Sequence, residues 1–350
     1  MTDVRGGQRK ASRLAGGRSD RRRATLALVA GVAVLLLMSL GFILAGTTAL
    51  STPDALSALL RPQTMPRAAV SIVWQLRLPR LVAALVCGSA LAVSGLLLQA
   101  ALGNRLASPS VMGVNAGAGL AVLISGLAFP LSVPARQAMA LAGALLATLL
   151  VTLVSRRAGV SRTSLVLAGV AISSLLSAVS DVIVTIRPDL VADRLAFRLG
   201  GLAAVSWSQL CLALLVVVAG LAVTFALGGG IDLLALGDET AHGLGLDVRR
   251  TRIASVVTAS ALASAAVSVC GLLGFVGLIV PNLVRMVLRG GFRREALVSL
   301  VWGASLLVTC DLAGRLALFP YELPVGLMLS LLGTPFFIAL LMRGRAAIRR

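Results

Sequence analysis

Residues 234–252 read LALGDETAHGLGLDVRRTR and gather groups capable of chemistry in a chain otherwise dominated by Leu, Val, Ala and Gly. The single histidine, His242, lies here with Asp238, Glu239 and Asp247. Glu239 and His242 form an E-x-x-H pair, which a helix presents on one face. Di-metal sites in helix bundles use that pair twice, with further carboxylates. This chain has no second histidine, and Asp238 points elsewhere on a helix, so no metal site is expected. The stretch reads better as a protein contact. Asp238 and Glu239 suit a helix start, where the backbone dipole favours acid. Leu233, Leu234, Leu236, Leu244 and Leu246 add apolar contacts. Gly228–Gly230 is expected to end the preceding apolar run, and Gly237, Gly243 and Gly245 to divide the next residues into two very short helices.

Other reactive types are sparse. Cys87, Cys211, Cys270 and Cys310 are scattered within apolar runs without a CxxC pair, and read as small buried hydrophobes. Asp181 and Asp311 lie inside apolar runs, with Glu322 at an edge. An acid at mid-bilayer costs about 2.5–3.5 kcal/mol on insertion scales. Two acids without an intramembrane histidine or lysine make a thin proton relay, and Arg315, four residues on, offers Asp311 a local partner. Ser173, Ser174, Ser177 and Ser180 have no histidine to activate them, which argues against an intramembrane hydrolase; small residues in spans permit close helix packing. The only lysine, Lys10, is followed by Ala11, so the G-x-x-x-x-G-K-[ST] phosphate loop is absent. Any ATP that drives this protein must be hydrolysed by another subunit.

The elements that must position these residues are membrane spans. The chain is 58% hydrophobic and 13% charged, with a mean hydropathy of +0.98. A soluble domain carries about 25% charge, whereas about 20 apolar residues cross a bilayer, where only helices and closed barrels satisfy their backbones. The expected architecture is all-α and polytopic, with ten spans near 24–46, 81–101, 111–129, 136–154, 164–186, 207–227, 253–271, 273–289, 296–314 and 324–342. The net charge of +19 follows the positive-inside pattern and does not suggest nucleic acid. One side carries 23 Arg and Lys and the other 9, which assigns both termini and the 228–252 loop to the cytoplasm. Residues 1–23 form a basic tail expected to be disordered, 24–343 the transmembrane domain, and 344–350 a basic cytoplasmic end. The loop 47–80, with Pro53, Pro62, Pro66 and Pro79, is expected outside. SALA occurs at 89–92 and again at 260–263, in runs of opposite direction, as an inverted-topology repeat would place it.

Five ordered motifs carry a family resemblance over residues 24–343. They are RLPRLVAALVCGSALAVSGLLLQ (77–99), NRLASPSVMGVNAGAG (104–119), LGDETAHGLGLDVRRTR (236–252), GFVGLIVPNLVR (274–285) and ELPVGLMLSLLGTPFF (322–337). The chain resembles FecCD-type permease subunits of bacterial ABC importers for iron–siderophores, haem and cobalamin. The resemblance implies a type II importer permease in the cell membrane, paired with a second copy or a paralogue. It implies no catalysis of its own and no cofactor or metal. Its partners would be an ATP-binding subunit, an extracytoplasmic substrate-binding protein and membrane lipid, with no nucleic acid. By resemblance, 232–248 enters a groove of the ATPase through Leu236, Gly237, Asp238, Glu239, Ala241, Leu244 and Gly245, and Arg77, Arg80 and Arg315 meet glutamates of the binding protein. LASPSVMG and LFPYELPVG lean towards ferric siderophores, with haem or cobalamin as alternatives; an ion-coupled carrier is a further alternative. Family members often have His at Asn282 and Asp-His-Arg near 291–293, where this chain has Gly-Phe-Arg.

Overall fold

In a computed structural model, residues 3–45, 50–129, 132–157, 162–203, 205–288, 290–318 and 321–348 are described. Arg289, one of the charges counted above, and Phe319–Pro320 of the LFPYELPVG motif lie outside them. Among the described residues the chain is helical apart from one isolated bridge, Leu318 to Tyr321. In order, the helices are α1 (Asp3–Leu44), α2 (Thr52–Leu60), α3 (Arg67–Ser71), α4 (Leu78–Leu102), α5 (Val114–Ala128), α6 (Val133–Arg157) and α7 (Arg162–Ile186). Next come α8 (Val191–Leu199), α9 (Trp207–Leu234), α10 (Asp238–Gly243), α11 (Val248–Cys270), α12 (Val276–Val287), α13 (Phe292–Leu316) and α14 (Val325–Ile348).

All ten expected spans coincide with helices. Seven are long and apolar enough to cross a membrane; the other three, α5, α12 and the apolar part of α14, are shorter. The protein is therefore a polytopic helical membrane protein. The apolar part of α1 begins at Asp20, and the basic segment before it, expected to be a disordered tail, continues the same helical backbone from Asp3. The outside loop is also more ordered than expected. α2 occupies part of it, and the second span begins at Arg67 as one 36-residue helical run, Arg67–Leu102. Within that run, Ile72–Arg77 is a π-helix just before Pro79. Pro79 has no N–H to give residue 75, and the wider turn absorbs the missing bond.

α4 and α11 form the centre. The most apolar stretch of α4 is 83% buried and that of α11 67%, against 17% for α1 and for α7. These central helices can touch because their contact faces are small. Ser94 donates to Ala259 O at 2.5 Å, and Ala83, Ala84, Ala90, Ala263 and Ala266 are fully buried. Where α4 meets α12 and α13, glycine faces glycine: a Cβ on Gly95 would overlap the backbone of Gly277, and one on Gly88 the backbone of Gly303. Such close approach is how helices associate where solvent supplies no hydrophobic drive. The packing also has the reciprocity of two related halves. α4 of the first half packs on α13 of the second, while α11 of the second packs on α6 of the first. The SALA segments lie on the two helices at this exchange.

A β-branched side chain at Gly95 is expected to destabilise by at least about 2 kcal/mol, because neither backbone can withdraw. Gly229→Ala in α9, where an added Cβ meets nothing within 4 Å, is expected to be neutral or stabilising by up to about 1 kcal/mol. Thermal melting of the two variants in detergent, followed by size-exclusion fluorescence, measures the contrast; equal melting points would show that glycine packing does not set the α4–α12 approach.

Candidate functional site: the two polar ends of the bundle

The 234–252 segment is built differently from the expected pair of short helices. Gly228–Gly230 does not end the sixth span: α9 runs through it to Leu234, because an already propagating helix loses only about 1 kcal/mol at each glycine. One short helix, α10, comes next. Gly237 precedes it with φ 100° and ψ 155°, a region open essentially to glycine alone. At its end Gly245 N donates to His242 O at 2.9 Å and Leu246 N to Ala241 O at 3.0 Å. This is a Schellman closure, with Gly245 at φ 87° in the left-handed position. Gly243, expected to be a breaker, is the last residue of α10 and has no positive φ.

Side chains then fix α10 to the bundle. Ala241 is fully buried beneath it. Asp238 receives both bonds of a fork from Arg252 Nη2, each 2.8 Å, and Arg252, 3% exposed, also donates to Ala101 O at the end of α4. Asp247 caps α11 by accepting from Arg250 N at 2.9 Å. Asp238 is thus committed within the chain, whereas Glu239 and His242 stay exposed. Leu236 and Leu244 stand 58% and 59% exposed on either side of the helix. Two bare leucines thus flank a helix that the Arg252 fork fixes to the bundle.

Three residues that sequence reasoning missed brace the same end. Arg285 donates to Gln99 Oε1 at 2.8 Å and to Glu295 at 3.0 Å, and Gln99 Nε2 donates to Gly277 O at 3.1 Å. No local spacing announces a contact between α4, α12 and α13. The two departures from the family pattern also acquire partners. Asn282 donates to Leu278 O at 2.8 Å and to Arg105 O at 3.1 Å, tying the α4–α5 connection to α12. Gly291 cannot cap α13 with a side chain, and Asp232 of α9 accepts from Phe292 N at 2.8 Å in its place.

At the opposite end the structure brings Arg77, Arg80 and Arg315 together but turns them inward. Arg80 forks onto Asp311 through Nε and Nη2, both 2.9 Å, and reaches Glu322 at 2.8 Å. Asp311 is 1% exposed. Its expected partner, Arg315, lies within ion-pair distance at 3.4 Å but is not aligned to hydrogen-bond, and stacks its guanidinium over Phe42 at 3.7 Å. Arg77, 5% exposed, donates to Ile43 O at the end of α1. The three arginines therefore join α1, α4, α13 and the α13–α14 connection. A carboxylate of another protein meets little more than the outer edge of Arg80, whose side chain is 11% exposed. The reason is desolvation: Asp311 at this depth requires a cation, and Arg80 across the helix pair serves it with better geometry than its neighbour in sequence.

Arg80→Glu removes that cation and adds a third acid. It is expected to cost about 3–5 kcal/mol and to lower the yield of folded protein, read as the monodisperse fraction in detergent. A variant that folds as well as the unmodified protein would return these arginines to a surface role.

The geometry now has known counterparts. The model of the FecCD transport family matches residues 31–343. The vitamin B12 import system permease protein BtuC of Vibrio cholerae is 43% identical over 276 residues, 78% of this chain and 83% of the relative. The Fe(3+) dicitrate transport system permease protein FecD of Escherichia coli is 37% identical over 275 residues, 78% of this chain and 86% of the relative. A solved structure described as an inward-facing conformation of a metal-chelate type ABC transporter superposes with a TM-score of 0.78 at 23% identity, covering 90% of this chain and 98% of that one. With α10 and the five motifs all inside the matched region, the chain belongs to the FecCD transport family.

Proposed function

We propose that this chain is the permease subunit of an ATP-driven importer that carries ferric–siderophore complexes inward, with both termini in the cytoplasm. The observation that carries this reading is α10: a helix locked by Arg252 and by the Gly245 closure, yet presenting Leu236 and Leu244 bare. A mere connector would gain nothing from that rigidity. A groove on a separate ATPase subunit is the occupant that suits it, since this sequence has no phosphate loop of its own. Force delivered at α10 passes through the Arg252 fork to α11 and, by the Ala101 carbonyl, to α4. The binding protein would meet the other end, where Arg80 and Glu322 offer the accessible edge of the charge cluster. A second permease, identical or paralogous, completes the path.

The relatives' names include vitamin B12, ferric citrate, iron hydroxamate and haemin. The LASPSVMG and LFPYELPVG motifs favour ferric siderophores. The 43% identity to a vitamin B12 permease favours cobalamin as the second reading. A deletion strain supplied with single iron or cobalamin sources separates them. Growth lost only on ferric chelates supports the first, and growth lost only on cobalamin the second. Uptake that persists without any ATPase subunit and collapses with an uncoupler would replace both by an ion-coupled carrier.

Gly245→Val forces a β-branched residue to φ 87° and is expected to cost about 1–3 kcal/mol locally. The spans should still insert, while co-purification with the ATPase subunit and uptake fall at least about tenfold. Full retention of both would remove α10 from the coupling role.

A further inference from the structure

Between α1, α12 and α13 lies a groove of about 650 Å3 with an almost entirely hydrocarbon lining. Apart from Thr309 at its far end, the polar side chains in it are already spent. Trp302 Nε1 donates to Ala27 O at 3.0 Å, and Ser305 Oγ donates to Val301 O at 2.9 Å. Gly31 lets the indole lie flat against α1, since a Cβ there would stand 2.9 Å from Trp302 Nε1. Leu283, Met286 and Val287 of α12 form the outer wall and are 45%, 56% and 52% exposed. That side of the groove is therefore open among the described residues.

The groove is long and runs with the helices. Along α13 its lining extends from Val298 to Thr309, about 16 Å at about 1.5 Å per residue, and along α12 from Ile279 to Leu288, about 14 Å. The hydrocarbon core of a bilayer is about 30 Å thick, so the groove is as long as one leaflet is deep. Its near end is basic. Arg23 precedes Ala27 by one turn on the same face of α1, and Arg294 precedes Val298 by one turn on the same face of α13. The Arg294 side chain folds over the α12–α13 connection, 3.6 Å from where a Cβ on Gly290 would stand. The acids at this end do not cancel that charge. Glu295 is held by Arg285, Asp232 accepts from Phe292 N, and Asp20 is outnumbered by Arg21, Arg22 and Arg23. Exposed arginines alone mark no site. Arginines at the mouth of an apolar groove one leaflet long match a headgroup and its chain together, the arrangement by which basic pockets between spans hold anionic lipids.

We propose that this groove seats one acyl chain of an anionic phospholipid, such as phosphatidylglycerol, from the leaflet at the arginine-rich end, with its phosphate held by Arg23 and Arg294. The chain bridges α1 to α12 over the Trp302 indole. A zwitterionic lipid offers the same chain but sets its own cation against the two guanidiniums. The proposal needs only the membrane-spanning fold and does not depend on the importer reading.

The chain has three tryptophans, and of Trp74, Trp207 and Trp302 only the last lines the groove. The test is fluorescence quenching of Trp302 in the full chain carrying Trp74→Phe and Trp207→Phe, reconstituted into vesicles of defined composition. Phosphatidylglycerol with brominated acyl chains is expected to quench with at least about fivefold higher apparent affinity than brominated phosphatidylcholine. Arg23→Gln combined with Arg294→Gln, both at exposed positions, is expected to abolish that preference and leave quenching by phosphatidylcholine unchanged. Raising salt from about 0.05 to about 0.5 M should shrink the preference in the unmodified arginine background. Equal affinity for the two lipids would reduce the groove to ordinary lipid contact, and quenching by neither would mean that protein covers it. A preference that survives loss of both arginines would put the headgroup elsewhere. Each of these outcomes overturns the proposal. If the Phe-substituted chain does not fold, native mass spectrometry of the unmodified chain and of the two-arginine variant decides. Phosphatidylglycerol retained on the first and reduced at least about fivefold on the second supports the seat; equal retention overturns it.

Discussion

A charge removed from water must be answered inside the protein, and the ionic contacts at both ends of this bundle follow from that constraint. Asp311, almost wholly buried near the end of α13, would be too costly alone. Arg80 answers it with two bonds and, through Glu322, gathers the α13–α14 connection. Arg252, equally buried, answers Asp238 and so holds α10. Neither pair is a large net source of stability, because desolvation consumes most of the attraction. Their value is positional. Each allows one arrangement of two helices and penalises the rest.

Between those ends the bundle is held by shape. The glycine pairs Gly88–Gly303 and Gly95–Gly277 bring backbones together along α4, and Ser94 adds a bond to α11. Large side chains fill the space beside these contacts, as Leu96, Leu97 and Leu262 do, and also cover the rim, as Leu26, Leu36 and Leu37 do on α1. Such an interior moves as rigid pieces, since close-packed backbones have no slack to deform. Phe275 belongs to the same economy. Its φ of 68° is a strained conformation for a bulky residue, and its ring fills the space left by the missing side chain of Gly333 in α14.

The polar groups thus divide by role. Those at the basic end build a rigid knob, those around Asp311 close the opposite end, and those on α7 and α8 line a cavity. Unspent hydrogen-bonding capacity is found in more than one of these sets: Arg315 Nε and Nη2 near Asp311, and Ser173 Oγ on α7, are buried without a partner among the described residues.

Much of this was legible in the sequence. Apolar runs of span length located ten helices because hydrophobicity and backbone satisfaction in a bilayer are local properties. Gly245 was legible as a breaker for the same reason, since positive φ depends on one residue. Five ordered motifs marked the family. What the sequence could not supply was partnership across distance. Arg80 and Asp311 are separated by 231 positions, and Arg285 and Gln99 by 186. The nearer candidate, Arg315, looked sufficient for Asp311 by helical spacing, yet its guanidinium is drawn over Phe42. Three arginines on the outward side were expected to meet a partner; the structure adds that Arg77 and Arg315 are almost buried and that Arg80 also serves Asp311 and Glu322. The serines of α7 looked like packing residues because their spacing is the same in either role. Only the placement of α5 and α8 beside them turned one face of that helix into the wall of a cavity. Spacing along a chain specifies what one helix presents; what it is presented to depends on how the helices assemble.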